Sequence, residues 1–266
     1  MPSRLHRRFR HLPSSAAHIV KGWPRSAGAM QRVRFAPPCT AGDLESICRW
    51  AGLSFTARGN AGLPAPALRR LVRLAARNSG TNSYHHGGHF AHVIMATGVL
   101  AALAGIRGRD LALLVLAGLV HDLDHQGRRG AARLYWQETW SAGLTGRVLL
   151  GRGGDARLAA RLGRMIRATA LTSDQARLLI IRSDRLARIL TDADIFASIM
   201  YEREISVRMT ACLKLEQRLA GTPEALNAAF ASHVSGDGLK SAVARRLLAD
   251  VQAGRAASRN VIAAGS

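Results

Sequence analysis

The stretch "LALLVLAGLVHDLDHQG", residues 111 to 127, runs from Leu111 to Val120 without a charge and then places His121, Asp122, Asp124 and His125 close together. Its uncharged part is about half of the roughly 20 apolar residues that a bilayer span requires. It is therefore read as a buried helix in a globular core, with no membrane span. Imidazoles and carboxylates at the end of such a helix are costly to desolvate unless something compensates them. A bound cation, ion pairing or an exposed helix end would each do so.

Helical periodicity continues on both sides. In "PALRRLVRLAARNSG", residues 66 to 80, Leu68, Leu71, Val72 and Ala75 follow the i, i+3, i+4, i+7 spacing of one helix face, with Pro66 near the start and Asn78 and Gly80 at the stop. Similar helices are expected near 88 to 104, 109 to 124, 131 to 143, 155 to 170, 174 to 181, 184 to 215 and 223 to 233. No segment alternates with the period of 2 that marks a half-buried strand, and the Ala, Leu and Arg content favours helix. The expected fold class is all-α, a compact helical bundle. "GRGGD" at 151 to 155 is read as a turn, because neither a strand nor a lysine accompanies it as a phosphate loop requires.

With 266 residues and 48% apolar content, the chain suits one full-sized domain. Its formal charge of +21 comes from basic residues that are all arginine except Lys21, Lys214 and Lys240. The arginines are spread along the chain opposite apolar stripes, so a generally basic surface is favoured over a dedicated nucleic-acid site. Cys39, Cys48 and Cys212 show no CxxC spacing and are too few for a disulfide framework, which points to reduced thiols in the cytoplasm. Residues 1 to 35 carry eight Lys and Arg residues and no acid, and Asp43 is the first acidic residue. They are read as a basic, poorly ordered leader: an organelle-type presequence, an anion-binding arm, or a translated upstream segment with Met30 the true start. Residues 253 to 266 are read as a flexible C-terminal tail.

A second polar cluster lies upstream. In "YHHGGHFAH", residues 84 to 92, His85, His89 and His92 recur at i, i+4 and i+7, so a helix through them presents an imidazole-rich face. Neutral imidazoles one turn apart can converge on one cation. Two such clusters make cation binding the preferred compensation for the buried His and Asp side chains.

The pair "SYHHGGHFAHV" and "HDLDHQG" resembles the HD-domain metal-dependent phosphohydrolases, and specifically the catalytic domain of class I 3′,5′-cyclic nucleotide phosphodiesterases. That family carries Y-H-N-x-x-H-A-x-D-V followed by H-D-x-D-H-P-G, matched here by Tyr84, His85, His89 and Val93, then His121, Asp122, Asp124, His125 and Gly127. The resemblance covers roughly residues 67 to 205 and implies a catalytic domain over 36 to 252, with two divalent metal ions between its helices. It implies His89, His121 and Asp122 as metal ligands, Asp122 bridging both ions. A later aspartate completes the set, and "TDADIFASIMYE" offers Asp192 and Asp194. Asp194 has Leu190, Ala197 and Ser198 at i−4, i+3 and i+4, leaving room for an ion, whereas Asp192 has Arg188 at i−4 and is expected as a surface pair. Asp194 is chosen. The resemblance further implies His85 as the general acid, His125 and Asp124 as groups orienting water behind the ligands, and Glu138 in "QETWSAG" as a helper at the second metal.

The expected activity is hydrolysis of a phosphodiester, a 3′,5′-cyclic nucleotide, by a metal-activated water, with a small nucleotide as the partner molecule. The departures concern substrate more than metal. His86 stands for the motif's asparagine, His92 for its second aspartate, Gln126 for the proline and Gly130 for a following asparagine. Ala168, Thr169 and Ala170 replace the usual A-T-D. No glutamine falls about fifty residues after the last aspartate, where a purine clamp is expected; Gln217 comes too early and Gln252 sits at the start of the tail. The alternatives are an HD enzyme acting on nucleoside mono- or polyphosphates, or a degenerate metal-binding regulatory module. The cyclic-dinucleotide subclass needs a Gly-Tyr-Pro here that "LDHQG" lacks.

Overall fold

The computed structural model describes residues 7 to 35, 37 to 56, 62 to 77, 82 to 125, 136 to 170, 175 to 234 and 238 to 264. Among these, helices are the only regular elements. Three of them form the centre: α5 (Gly87–Leu103), α6 (Gly108–Val120) and α10 (Arg185–Met200). Every residue of α5 from Gly87 to Ala101 is buried, as is every residue of α6 from Ala112 to Val120. A helix that is apolar all round must be enclosed by others. Here α5 and α6 pack on each other and both pack on α10.

Amphipathic helices cover that centre. They include α3 (Ala41–Trp50), α4 (Ala65–Arg77), α7 (Trp136–Leu150) and α8 (Ala156–Arg167). The inward face of α4 is Ala67, Leu68, Leu71, Val72 and Ala75, the face expected from its spacing. Side-chain caps start several helices. Thr40 and Asp43 make a reciprocal capping box at α3, and Asp184 accepts from the backbone N–H groups of Leu186 and Ala187 at α10. Further helices are α9 (Gln175–Ser183), α11 (Arg203–Gln217), α12 (Pro223–His233) and α13 (Ala242–Ala264).

Several expectations need correction. The single helix expected over 184 to 215 is two, because Tyr201 and Glu202 take extended backbone angles between α10 and α11. Tyr201 is 1% exposed and its hydroxyl meets His92 Nδ1 at 2.8 Å, a tertiary contact that outweighs helix propensity. The helix expected over 109 to 124 ends at Val120, and residues 121 to 124 form a turn. The first residues of the helix expected over 131 to 143 lie outside the described residues, and the described helix runs on to Leu150.

The expectation of a poorly ordered leader is not met over residues 7 to 35. This segment forms a short 3-10 turn at Arg7–Phe9, α1 (Ala16–Lys21) and α2 (Ala27–Gln31), and α1 packs on α5. Phe9, Ile19 and Met30 are fully buried, and Trp50 Nε1 donates to the Pro13 carbonyl at 2.8 Å. The arginines stay at the surface while sparse apolar residues enter the core. Charge composition averages over that distinction. At the other end, α13 extends helical backbone to Ala264, where a flexible tail was expected from 253.

The segment over α5 approaches its backbone closely. A Cβ on Gly88 would stand 1.8 Å from the Phe35 carbonyl oxygen, so only glycine fits. If residues 7 to 35 belong to the core, Phe9→Ala will lower the unfolding free energy by about 3–5 kcal/mol. Denaturant unfolding of the two proteins checks this, and an unchanged midpoint would make the segment an appendage.

Candidate metal centre and its neighbouring histidines

Each of the three central helices delivers polar side chains to one place. His89 comes from the first turn of α5, His121 and Asp122 from the turn that ends α6, and Asp194 from the middle of α10. One donor atom from each lies within 4.8 Å of all the others. His89 Nε2 and His121 Nε2 are 3.1 Å apart. His121 Nε2 is 3.2 Å from both Asp122 Oδ2 and Asp194 Oδ1, and His89 Nε2 is 3.6 and 3.3 Å from the same two atoms.

These spacings bear on the choice between a cation and ion pairs. Charge-assisted N–H···O contacts run at about 2.7–2.9 Å, shorter than any of the four His–Asp distances. Metal–ligand bonds of about 2.0–2.2 Å place neighbouring donors about 3.0–3.5 Å apart in tetrahedral or octahedral geometry. The observed distances fall in or next to that range. His121 Nδ1 lies 3.0 Å from the Gly118 carbonyl, which holds the proton on Nδ1 and leaves Nε2 as the free lone pair. Two imidazole and two carboxylate donors suit zinc and other first-row divalent ions. The residues therefore fit a metal ion.

The four side chains shift one another's protonation. Burial by itself favours neutral imidazole, but Asp122 and Asp194 outweigh it and raise the pKa of His121 well above its usual value. His89 is also raised: burial lowers it, but the same two carboxylates outweigh that. Burial opposes the charge of Asp122 and Asp194, yet the imidazoles hold both below the usual carboxylate range, with His121 the largest favourable contribution to each. Metal binding would displace these protons.

A second group abuts the first. His85 Nε2 lies 3.6 Å from Asp122 Oδ2, and its Nδ1 bonds Glu216 Oε1. Glu216 Oε2 accepts from the backbone N–H groups of Tyr84 at 2.6 Å and His85 at 3.0 Å. Burial would raise the Glu216 carboxyl, but His85 and these donors lower it to about 2. His125 stacks on His85 with ring centroids 3.7 Å apart, and burial followed by the charge of His85 lowers its pKa to about 4. Asn82 Nδ2 donates to the carbonyls of both histidines, at 3.0 Å to His85 and 2.7 Å to His125, and so ties the two loops together.

A search of solved structures gives relatives in fold. The phosphodiesterase domain of the RhoPDE fusion protein from the choanoflagellate Salpingoeca rosetta superposes with a TM-score of 0.54 at 18% identity, over 85% of this chain and 96% of that one. The fold is that of phosphodiesterase catalytic domains. A second structure, the phosphodiesterase domain of Salpingoeca rosetta rhodopsin phosphodiesterase, gives 0.53 at 17% identity over 96% and 100% of the two chains. LmjPDEB1 in complex with IBMX gives 0.52 at 12% identity over 94% and 91%. No protein-family model matches the chain, and neither does any curated protein sequence.

Within this phosphodiesterase-type fold the sequence-predicted residues separate. His89, His121, Asp122 and Asp194 meet in the first cluster, and His85 and His125 in the second. Asp124 joins neither: it is exposed at φ 60°, and its Oδ2 accepts from Trp140 Nε1 at 2.9 Å. The left-handed backbone turns the side chain outward, away from the water-orienting position expected for it. Glu138 is half-buried in the first turn of α7, and burial and then repulsion from Asp122 raise its carboxyl to about 7, which puts it within electrostatic reach of the cluster.

Asp192 is a correction of another kind. The expected surface pair is 0% exposed and accepts from the backbone N–H groups of Lys240 and Ser241, each at 2.7 Å, and from Ser241 Oγ at 2.5 Å. It anchors the start of α13. His92 leaves the imidazole face for Tyr201 and the Val33 carbonyl, because α5 begins only at Gly87 and His85 precedes it. Gln126 and Gly130 lie outside the described residues. Sequence reasoning missed Glu216 and Asn82. Glu216 is 131 residues from His85, and nothing in "LKLEQRLA" distinguishes it from a surface glutamate.

Two measurements follow from this geometry. Chelator-treated protein titrated with zinc will bind the ion, and Asp122→Asn will weaken binding by more than the roughly 10- to 100-fold typical of losing an outer partner. Equal affinity in that variant would remove Asp122 from the site. The second concerns pH. A depressed folded-state carboxyl stabilises the fold above its unfolded pKa and loses that contribution as pH falls through the folded value. The stability gap between wild type and Glu216→Gln will therefore be full above the ordinary glutamate range and close as pH falls toward about 2, as read by urea unfolding across that range.

Proposed function

We propose that the chain is a metal-dependent phosphohydrolase that cleaves a phosphodiester, with a 3′,5′-cyclic nucleotide as the substrate. The observation that carries the reading is one cavity of about 390 Å³ whose lining includes both His85 and Asp194, so a proton donor and the candidate metal cluster serve the same space. Pockets of about 300–1,000 Å³ suit small organic ligands. Leu213, Leu226 and Phe230 supply apolar wall for a base, and Gln217 supplies an amide. Gln217, set aside in sequence as too early for a purine clamp, thus lines the cavity. The fold shared with phosphodiesterase domains, one of them solved with the small molecule IBMX, adds support.

His89, His121, Asp122 and Asp194 are the residues that would hold the metal. Two divalent ions bound here would lower the pKa of water and offset charge on the phosphate oxygens. The protein's own side chains do the rest. Glu216 holds His85 through Nδ1, which leaves Nε2 as the nitrogen that can carry a proton toward the leaving oxygen. Tyr84 and His85 N–H groups keep Glu216 ionised for that task. His125, stacked on His85, limits the ring's rotation. Glu138 is our candidate for supporting the second ion, with its carboxyl raised to about 7 by burial and by Asp122. The three free cysteines support a cytoplasmic setting, and no helix among the described residues is long and apolar enough to cross a membrane.

A panel of cyclic AMP, cyclic GMP, bis-p-nitrophenyl phosphate, nucleoside monophosphates and nucleoside polyphosphates, assayed with added divalent metal, tests this reading. Diesters will turn over, and His85→Ala will lose about 10²- to 10⁴-fold in kcat while keeping its metal. Turnover confined to monoesters or polyphosphates would reassign the substrate class, and full activity in Asp122→Ala would refute the metal-dependent chemistry.

A further inference from the structure

A separate cavity of about 480 Å³ lies between the N-terminal segment and α11, lined in part by Arg32, Arg34, Phe35, His86, Arg208 and Met209. None of the four metal-cluster residues contributes to it, and neither does His85, His125 or Glu216. Its electrostatics are one-sided. No carboxylate lines it, and the three arginine side chains make no ion pair among the described residues.

The second observation is His86. It is 0% exposed, and its Nδ1 accepts from the Gly88 backbone N–H at 2.9 Å. Nδ1 therefore carries no proton, and the neutral ring has its hydrogen on Nε2. Burial keeps the ring neutral by lowering its pKa to about 4. Nε2 is buried and has no hydrogen-bond partner among the described residues. Buried donors are nearly always satisfied, so an unpaired one on a residue that lines the cavity leaves room for an acceptor.

We propose that this cavity is a binding site for an organic phosphate of nucleotide size, distinct from the candidate metal centre. Guanidinium groups pair phosphate oxygens through forked, charge-assisted hydrogen bonds. The His86 N–H donates to the same anionic end, beside the Phe35 ring packed 4.8 Å from the imidazole. Val33, Ile205 and Met209 give the organic portion an apolar wall. The site does not rest on the phosphodiesterase reading, since it needs neither metal nor turnover.

Titration calorimetry of the full chain with adenosine 5′-monophosphate, after chelator treatment, tests it. Wild type and Asp122→Asn will bind alike. Arg32→Ala and Arg208→Ala will each weaken binding at least about tenfold, the loss expected for one charge-assisted hydrogen bond. His86→Asn, which keeps an acceptor for Gly88, will weaken it too, with a melting curve to show that the variant folds. Arg73→Ala removes an exposed charge on α4 and will change nothing, and adenosine without phosphate will bind at least about tenfold more weakly. The proposal is overturned by no binding to wild type, loss in Asp122→Asn, equal binding of adenosine, or equal weakening by Arg73→Ala. Absence of bound metal would count against the hydrolase reading and leave this site standing.

Discussion

Two imidazoles and two carboxylates held with their donor atoms within 4.8 Å of one another, where three apolar helices converge, set the terms for the rest of the protein. Like groups repel there and unlike groups attract, in a setting with little water to screen either. The arrangement persists only if the helices are rigid, and rigidity comes from apolar packing. Hence α5 and α6 are buried almost throughout, with His89 in the first turn of α5 and His121 and Asp122 just past the last residue of α6. A cation gives the four donors a common partner that protons supply only in part.

The neighbouring histidines solve a related problem by different means. His85 has Asp122 on one side and Glu216 on the other, so its two ring nitrogens are addressed by separate carboxylates. Glu216 is itself pinned by two backbone N–H groups from the loop that carries His85. Orientation of the ring thus depends on α11, a helix that contributes nothing to the four-donor cluster.

Periodicity over Leu111 to Val120 and along α4 was enough to read a helical bundle, because burial in a helix repeats locally and needs no knowledge of the partner. The clustered residues were legible for a similar reason: His85, His89, His121, Asp122 and His125 fall in two short runs. What escaped was set by distant contacts. Asp192 reads as an exposed partner of Arg188 until Lys240 and Ser241 arrive from α13. Glu216 acquires its role from a loop 131 residues away. Tyr201 breaks a helix for the sake of His92. The basic N-terminal segment misleads because charge is counted along the chain, whereas its few apolar residues do the packing.

The Asp192 anchor also orders events in time. Asp192 and Asp194 lie two residues apart on α10, one gripping the start of α13 and the other facing the histidines. A chain emerging from the ribosome has all four candidate ligands available once residue 194 is out. The carboxylate that steadies α10 from behind finds its partners only when Lys240 and Ser241 follow. The residues that steady the helix carrying Asp194 are thus made after all four candidate ligands.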